Sequence, residues 1–149
     1  MRHPARIVVA AALAAAAACA AAADFRTVTT DAAVLYDAPS TRSNKVFVVN
    51  RGYPLEVVVT MEGWVKVRDA AGAFNWIEAK QVTDKQRTVM VRVPVAQVRQ
   101  KPEDNAPVAF QAGQNVILEV VDATAPGWVQ VRHRDGGSGY VKAAQVWGV

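Results

Sequence analysis

Gly63-Trp64-Val65-Lys66-Val67-Arg68 returns 64 positions later as Gly127-Trp128-Val129-Gln130-Val131-Arg132. Each stretch opens on a glycine suited to a tight turn and then alternates. Val65 and Val67 share one parity, while Trp64, Lys66 and Arg68 share the other. A β-branched residue at every second place marks a half-buried strand with its valines inward. The second copy assigns Val129 and Val131 inward, with Trp128, Gln130 and Arg132 outward.

The repetition extends in both directions. At the same offset Trp76-Ile77-Glu78-Ala79-Lys80-Gln81-Val82 matches Tyr140-Val141-Lys142-Ala143-Ala144-Gln145-Val146, and Gly72 falls on Gly136. Pro39 falls on Pro102 at an offset of 63. Gly52 falls on Gly113, and Arg26-Thr27-Val28 on Arg87-Thr88-Val89, at an offset of 61. Loop insertions shift an offset in this way. The chain therefore holds two copies of one unit of about 60 residues. The boundaries expected are 24–83 and 84–149, with Thr83–Arg87 as a short polar connector.

Within each unit, short β-branched runs alternate with turn signals. In the first these runs are Ala33–Tyr36, Val46–Val49, Leu55–Met61, Trp64–Arg68 and Phe74–Ile77. In the second they are Val95–Arg99, Val108–Phe110, Val116–Asp122, Trp128–His133 and Ser138–Val141. The fold class expected is all-β: two tandem small barrels of about five short strands each, closed so that few sheet edges are left. So small a unit buries a low fraction of its surface, so the two are expected to pack together.

The first 23 residues read as an export signal. Arg2, His3 and Arg6 form a basic start, and Ile7–Ala18 runs without a charge. Ala21-Ala22-Ala23 offers small residues for cleavage before Asp24. Cys19, after Ala16-Ala17-Ala18, loosely resembles a lipidation site, and membrane attachment would depend on it. The expected location is the periplasm or cell envelope.

Composition excludes several kinds of chemistry. Cys19 is the only cysteine, so residues 24–149 hold no thiol for a disulfide, a nucleophile or a thiolate metal site. His133 is the only histidine beyond the signal, which leaves no ordinary zinc ligand set. Ser138 lies close in sequence to His133 and Asp135, but one hairpin turn does not build an oxyanion hole. Asp69, Glu119, Asp122 and Asp135 fall at turns or strand ends, as solvent-facing acids do. The net charge of +4 falls to +2 without Arg2 and Arg6, and no basic stripe marks a nucleic-acid surface. No cofactor and no catalytic activity are expected.

The second unit carries Val98-Arg99 with Pro102, then Val108 with Gly113, Gly127-Trp128-Val129-Gln130-Val131-Arg132 and Gly139-Tyr140-Val141. This order resembles the bacterial SH3-like domain. The first unit departs from it, with Leu35-Tyr36 for Val-Arg and Asn75-Trp76-Ile77 for Gly-Tyr-Val. The resemblance implies two tandem SH3-like barrels and an envelope protein that binds peptidoglycan or a peptide. The alternative is a protein–protein scaffold or adaptor without affinity for the wall.

Candidate ligand-binding residues follow from position and chemistry. They are Tyr36, Trp64 and Trp76 in the first unit and Arg99, Trp128, Arg132 and Tyr140 in the second, with Tyr53 a further candidate by position alone. Aromatic faces stack on sugar rings or proline, and arginines pair with carboxylates. Trp76 and Tyr140 also suit a core-closing role, and Trp64 and Trp128 suit packing under a loop.

Overall fold

The computed structural model describes residues 22–149. Residues 1–21 of the expected signal segment, Cys19 among them, lie outside the described residues.

The chain forms two seven-stranded antiparallel sheets of identical order. The first comprises β1 (Phe25–Val28), β2 (Ala33–Tyr36), β3 (Lys45–Val49), β4 (Pro54–Met61), β5 (Trp64–Arg68), β6 (Phe74–Glu78) and β7 (Val82–Thr83), arranged 3-2-6-5-4-1-7. The second comprises β8 (Thr88–Val91), β9 (Val95–Arg99), β10 (Val108–Gly113), β11 (Ile117–Asp122), β12 (Trp128–Arg132), β13 (Ser138–Lys142) and β14 (Val146–Trp147), arranged 10-9-13-12-11-8-14. A 3-10 turn, Ala79–Gln81 or Ala143–Gln145, precedes the last strand of each. The expected all-β pair of barrels is present, with seven strands in each rather than about five. The additional strands run two to four residues and flank each unit. Runs so short carry no legible alternation.

The registers fix how the copies correspond. Arg26 stands opposite Leu55 as Val89 stands opposite Leu118, and Tyr36 opposite Trp76 as Arg99 opposite Tyr140. The offset is thus 63 up to β4 and β11, and 64 from β5 and β12 onward. The 61-residue matches are coincidences of composition. Val28 corresponds to Val91, and Gly52 to Asn115. The amide of Gly52 donates to Val28 O as that of Asn115 donates to Val91 O. Both residues take left-handed backbone, φ +86° and +67°, a region asparagine tolerates better than most residues.

Parity is as the sequence implies. Val65 and Val67 are buried against Val28, Leu35, Leu55 and Ile77, and Val129 and Val131 against Val89, Val98, Leu118 and Val141. Full burial of one such side chain stabilises by roughly 1.5–3 kcal/mol. These valine-rich cores are small, and the barrels also hold each other. The Trp147 indole Nε1–H donates to Pro54 O at 3.0 Å. The ring meets Phe25 edge-on, centroids 5.1 Å apart, and the Arg68 and Arg92 guanidinium groups flank it at 5.5 and 5.7 Å. Thr88 gives its hydroxyl proton to Gly52 O at 2.6 Å, so the 3.1 Å contact with Thr27 has Thr27 as donor.

Candidate functional site

β5 and β6 pair in the order Trp64 with Glu78, Lys66 with Trp76, and Arg68 with Phe74. All six therefore stand on the outer face of the first barrel. The same face continues onto β4, where Met61 lies opposite Trp64 and Val59 opposite Lys66. Met61, Val59 and Phe74 are 47%, 46% and 57% exposed. Trp64 and Trp76 are half-buried. The Lys66 ammonium stands 5.8 Å from the Phe74 ring centroid and 6.0 Å from that of Trp76. The outcome is an apolar, aromatic surface with a cation at its centre.

Tyr36 flanks this surface on β2. It is buried, lies opposite Trp76, and meets the Trp64 ring edge-on with centroids 5.5 Å apart. Its ring orients Trp64 and offers little surface of its own. Trp76 and Tyr140 do not close the cores: Ile77 and Val141 do, with Asn75 and Gly139 also buried. Trp64 and Trp128 are not sealed under a loop.

The second barrel presents other chemistry at matching places. Asp122 replaces Val59, Gln130 replaces Lys66, Ser138 replaces Phe74 and Arg99 replaces Tyr36. Arg99 is engaged by Ala106 O and Gln97 Oε1, both at 2.7 Å. Lys142 binds Asp104 at 2.6 Å and lies over Trp128, 5.8 Å from its centroid. That ion pair holds the Asp104 carboxyl below the usual carboxylate range. The 100–107 loop is thus drawn toward Trp128, and this face is polar and largely self-satisfied. In the first barrel Glu78 occupies the place of Lys142 and binds Lys80 at 2.9 Å, raising the Lys80 pKa. The loop there is closed on itself, Asp37 accepting from Asn44 N and Nδ2.

The seven candidates therefore fall into three places. Tyr36, Trp64 and Trp76 come together on the first barrel. Arg99, Trp128 and Tyr140 lie on the corresponding face of the second. Arg132 is remote from Trp128, four residues along β12, and binds Glu119 at 2.9 Å beside the junction of the barrels. Tyr53 packs on the first core at the opposite end from Trp64, and its hydroxyl is pushed up in pKa chiefly by burial. Asp69 is buried rather than solvent-facing: its Oδ1 accepts the amides of Ala71 and Ala73 at 3.0 and 2.9 Å. Phe74, Met61, Val59 and Lys66 were not among the candidates, although strand parity with Trp64 and Trp76 signals them. Among the described residues no group of three or more His, Cys, Asp or Glu could hold a metal ion.

The family model of the bacterial SH3 domain matches residues 29–84 and again 92–148. No curated protein matches the chain. Among solved structures the chain is similar to NlpC2 of Trichomonas vaginalis at 14% identity and a TM-score of 0.40, over 85% of this chain and 48% of that one. NlpC1 of the same organism gives 14%, 0.40, 85% and 46%. An NlpC/P60 family protein of Bacillus cereus gives 16%, 0.36, 83% and 56%. The chain spans about half the length of these solved proteins.

Proposed function

Because the chain belongs to the bacterial SH3 domain family, with two copies of that domain, we propose that it is a non-catalytic binding module of the cell envelope. Its ligand is peptidoglycan or a peptide, held on the outer face of the first barrel. One observation carries the reading: at equivalent places the first barrel bears Val59, Lys66, Phe74 and Trp76 where the second bears Asp122, Gln130, Ser138 and Tyr140. Exposed aromatic and aliphatic groups cost solvation unless something covers them. Trp64 and Trp76 suit the flat faces of sugar rings or proline, and Lys66 suits a carboxylate or carbonyl between them. In this reading the protein is exported, and residues 1–23 are the signal that directs it. Cosedimentation with purified cell-wall sacculi, wild type against Trp64→Ala, tests it.

A second reading, a scaffold that docks a protein partner without wall affinity, draws on β3. This strand is the edge of its sheet, paired with β2 alone, and Val46, Phe47 and Val48 are all exposed. Such an edge accepts an added strand from a partner chain. A lack of sacculus binding together with capture of a strand-forming peptide at β3 would favour it.

A further inference from the structure

Between the barrels lies a cleft of about 500 Å³, within the roughly 300–1,000 Å³ typical of ligand sites. Val28, Val116 and Ile117 give it an apolar floor, and Arg51, Arg132 and Arg134 stand around it. Glu119 is the sole carboxylate among its lining residues, and it is already occupied. Gln86 Nε2 donates to one of its oxygens at 2.8 Å, and the Arg132 guanidinium holds the other. The hydroxyl protons of Thr27 and Thr88 are spent on Thr88 Oγ1 and Gly52 O. Asp31 binds Arg51 at 3.1 Å and Asp135 contacts His133 at 3.0 Å, but both acids are exposed and outside the lining. Arg134 is exposed and forms no ion pair among the described residues. Thr29, Asn115 and His133 add polar groups to the lining, and the permanently charged donors left to face the space are guanidinium groups beside the hydrocarbon of Val116 and Ile117.

That combination selects a ligand. Guanidinium forks match carboxylates in a bidentate way, and a hydrocarbon floor needs carbon to cover it. A bare inorganic anion would satisfy the rim and leave Val116 and Ile117 wet. We propose that the inter-barrel cleft is a second binding site that takes an acidic peptide segment. Its carboxylates meet Arg134 and Arg51, and its aliphatic carbons cover Val116 and Ile117. This site is separate from the aromatic face, and neither reading depends on the other.

The test is a titration of the ¹⁵N-labelled protein with acetyl-Glu-Val-Glu-amide, acetyl-Gln-Val-Gln-amide and inorganic phosphate. The expected result is saturable shift changes at the amides of Gly52, Ile117 and Arg134 with the acidic peptide alone. Arg134→Gln weakens the response about tenfold, the loss of one charge-assisted contact. The Arg51→Gln/Arg134→Gln pair abolishes it, and Trp64→Ala leaves it unchanged. Spectra that overlay away from the cleft show that these variants fold. An equal response to the glutamine peptide, an equal response to phosphate, no saturable change at the cleft, or full affinity in Arg134→Gln would each overturn the proposal.

Discussion

Trp147 and Pro54 lie 93 residues apart in the chain, and the indole Nε1–H of one donates to the carbonyl oxygen of the other. This bond ties the last strand of the second barrel to the fourth strand of the first. Phe25, Arg68 and Arg92 enclose the same ring. The two small barrels are therefore expected to unfold as one unit. Trp147→Phe removes the donor and leaves Pro54 O unpaired, at a cost of about 1 kcal/mol. Trp147→Ala removes the ring as well and costs about 3 kcal/mol. Calorimetry should show one transition in the wild type, and a lowered, broadened or split one in Trp147→Ala. Unchanged melting in both variants would contradict this.

Asp69 holds the turn between β5 and β6 from within, accepting two backbone amides. In the second barrel His133 stands at its place, and the exposed Asp135 accepts a single backbone amide, Gly137 N. Asp69→Ala removes the shared acceptor of two part-buried hydrogen bonds, which costs about 1–2 kcal/mol in urea denaturation. Asp69→Asn keeps an acceptor oxygen and should recover most of that. Asp135→Ala should cost far less, since water can replace an exposed carboxylate.

Asp104 titrates below the usual carboxylate range, because Lys142 hydrogen-bonds its charged form and attracts it. A depressed folded-state value stabilises the folded form above the unfolded value, about 3.9. That contribution is lost as pH falls through the folded value. Lys142→Met should return the Asp104 carboxyl resonance to an ordinary midpoint in a ¹³C titration. It should also quicken hydrogen exchange in residues 100–107 at neutral pH. A midpoint indifferent to Lys142 would refute the clasp.

Much of the fold was legible because a strand's parity survives translation into sequence. Trp64-Val65-Lys66-Val67-Arg68 fixes which side chains enter the core, and its repeat fixes the number of barrels. The same parity places Trp76 and Tyr140 outside. The 61-residue offset misled because glycine marks a left-handed position only by statistics. At the place equivalent to Gly52 the chain uses Asn115, while Gly113 sits nearby in an ordinary strand conformation. Trp147 carried no signal of its role, since the equivalent place in the first unit is Thr83 and its partner Pro54 is distant in the chain. The burial of Asp69 was also hidden: an acid at a turn reads alike whether it faces water or ties the turn from inside.

The divergence between the two outer faces is the centre of this account, and sacculus cosedimentation at low and moderate salt tests it most directly. The wild-type protein should bind saturably and keep binding at moderate salt. Trp64→Ala and Trp76→Ala should each weaken binding about tenfold or more, as losing a central aromatic contact does, with circular dichroism showing the fold intact. Trp128→Ala should bind as the wild type does. Binding that disappears at moderate salt, or that depends on Trp128 and not on Trp64, would contradict the assignment of the ligand to the first barrel.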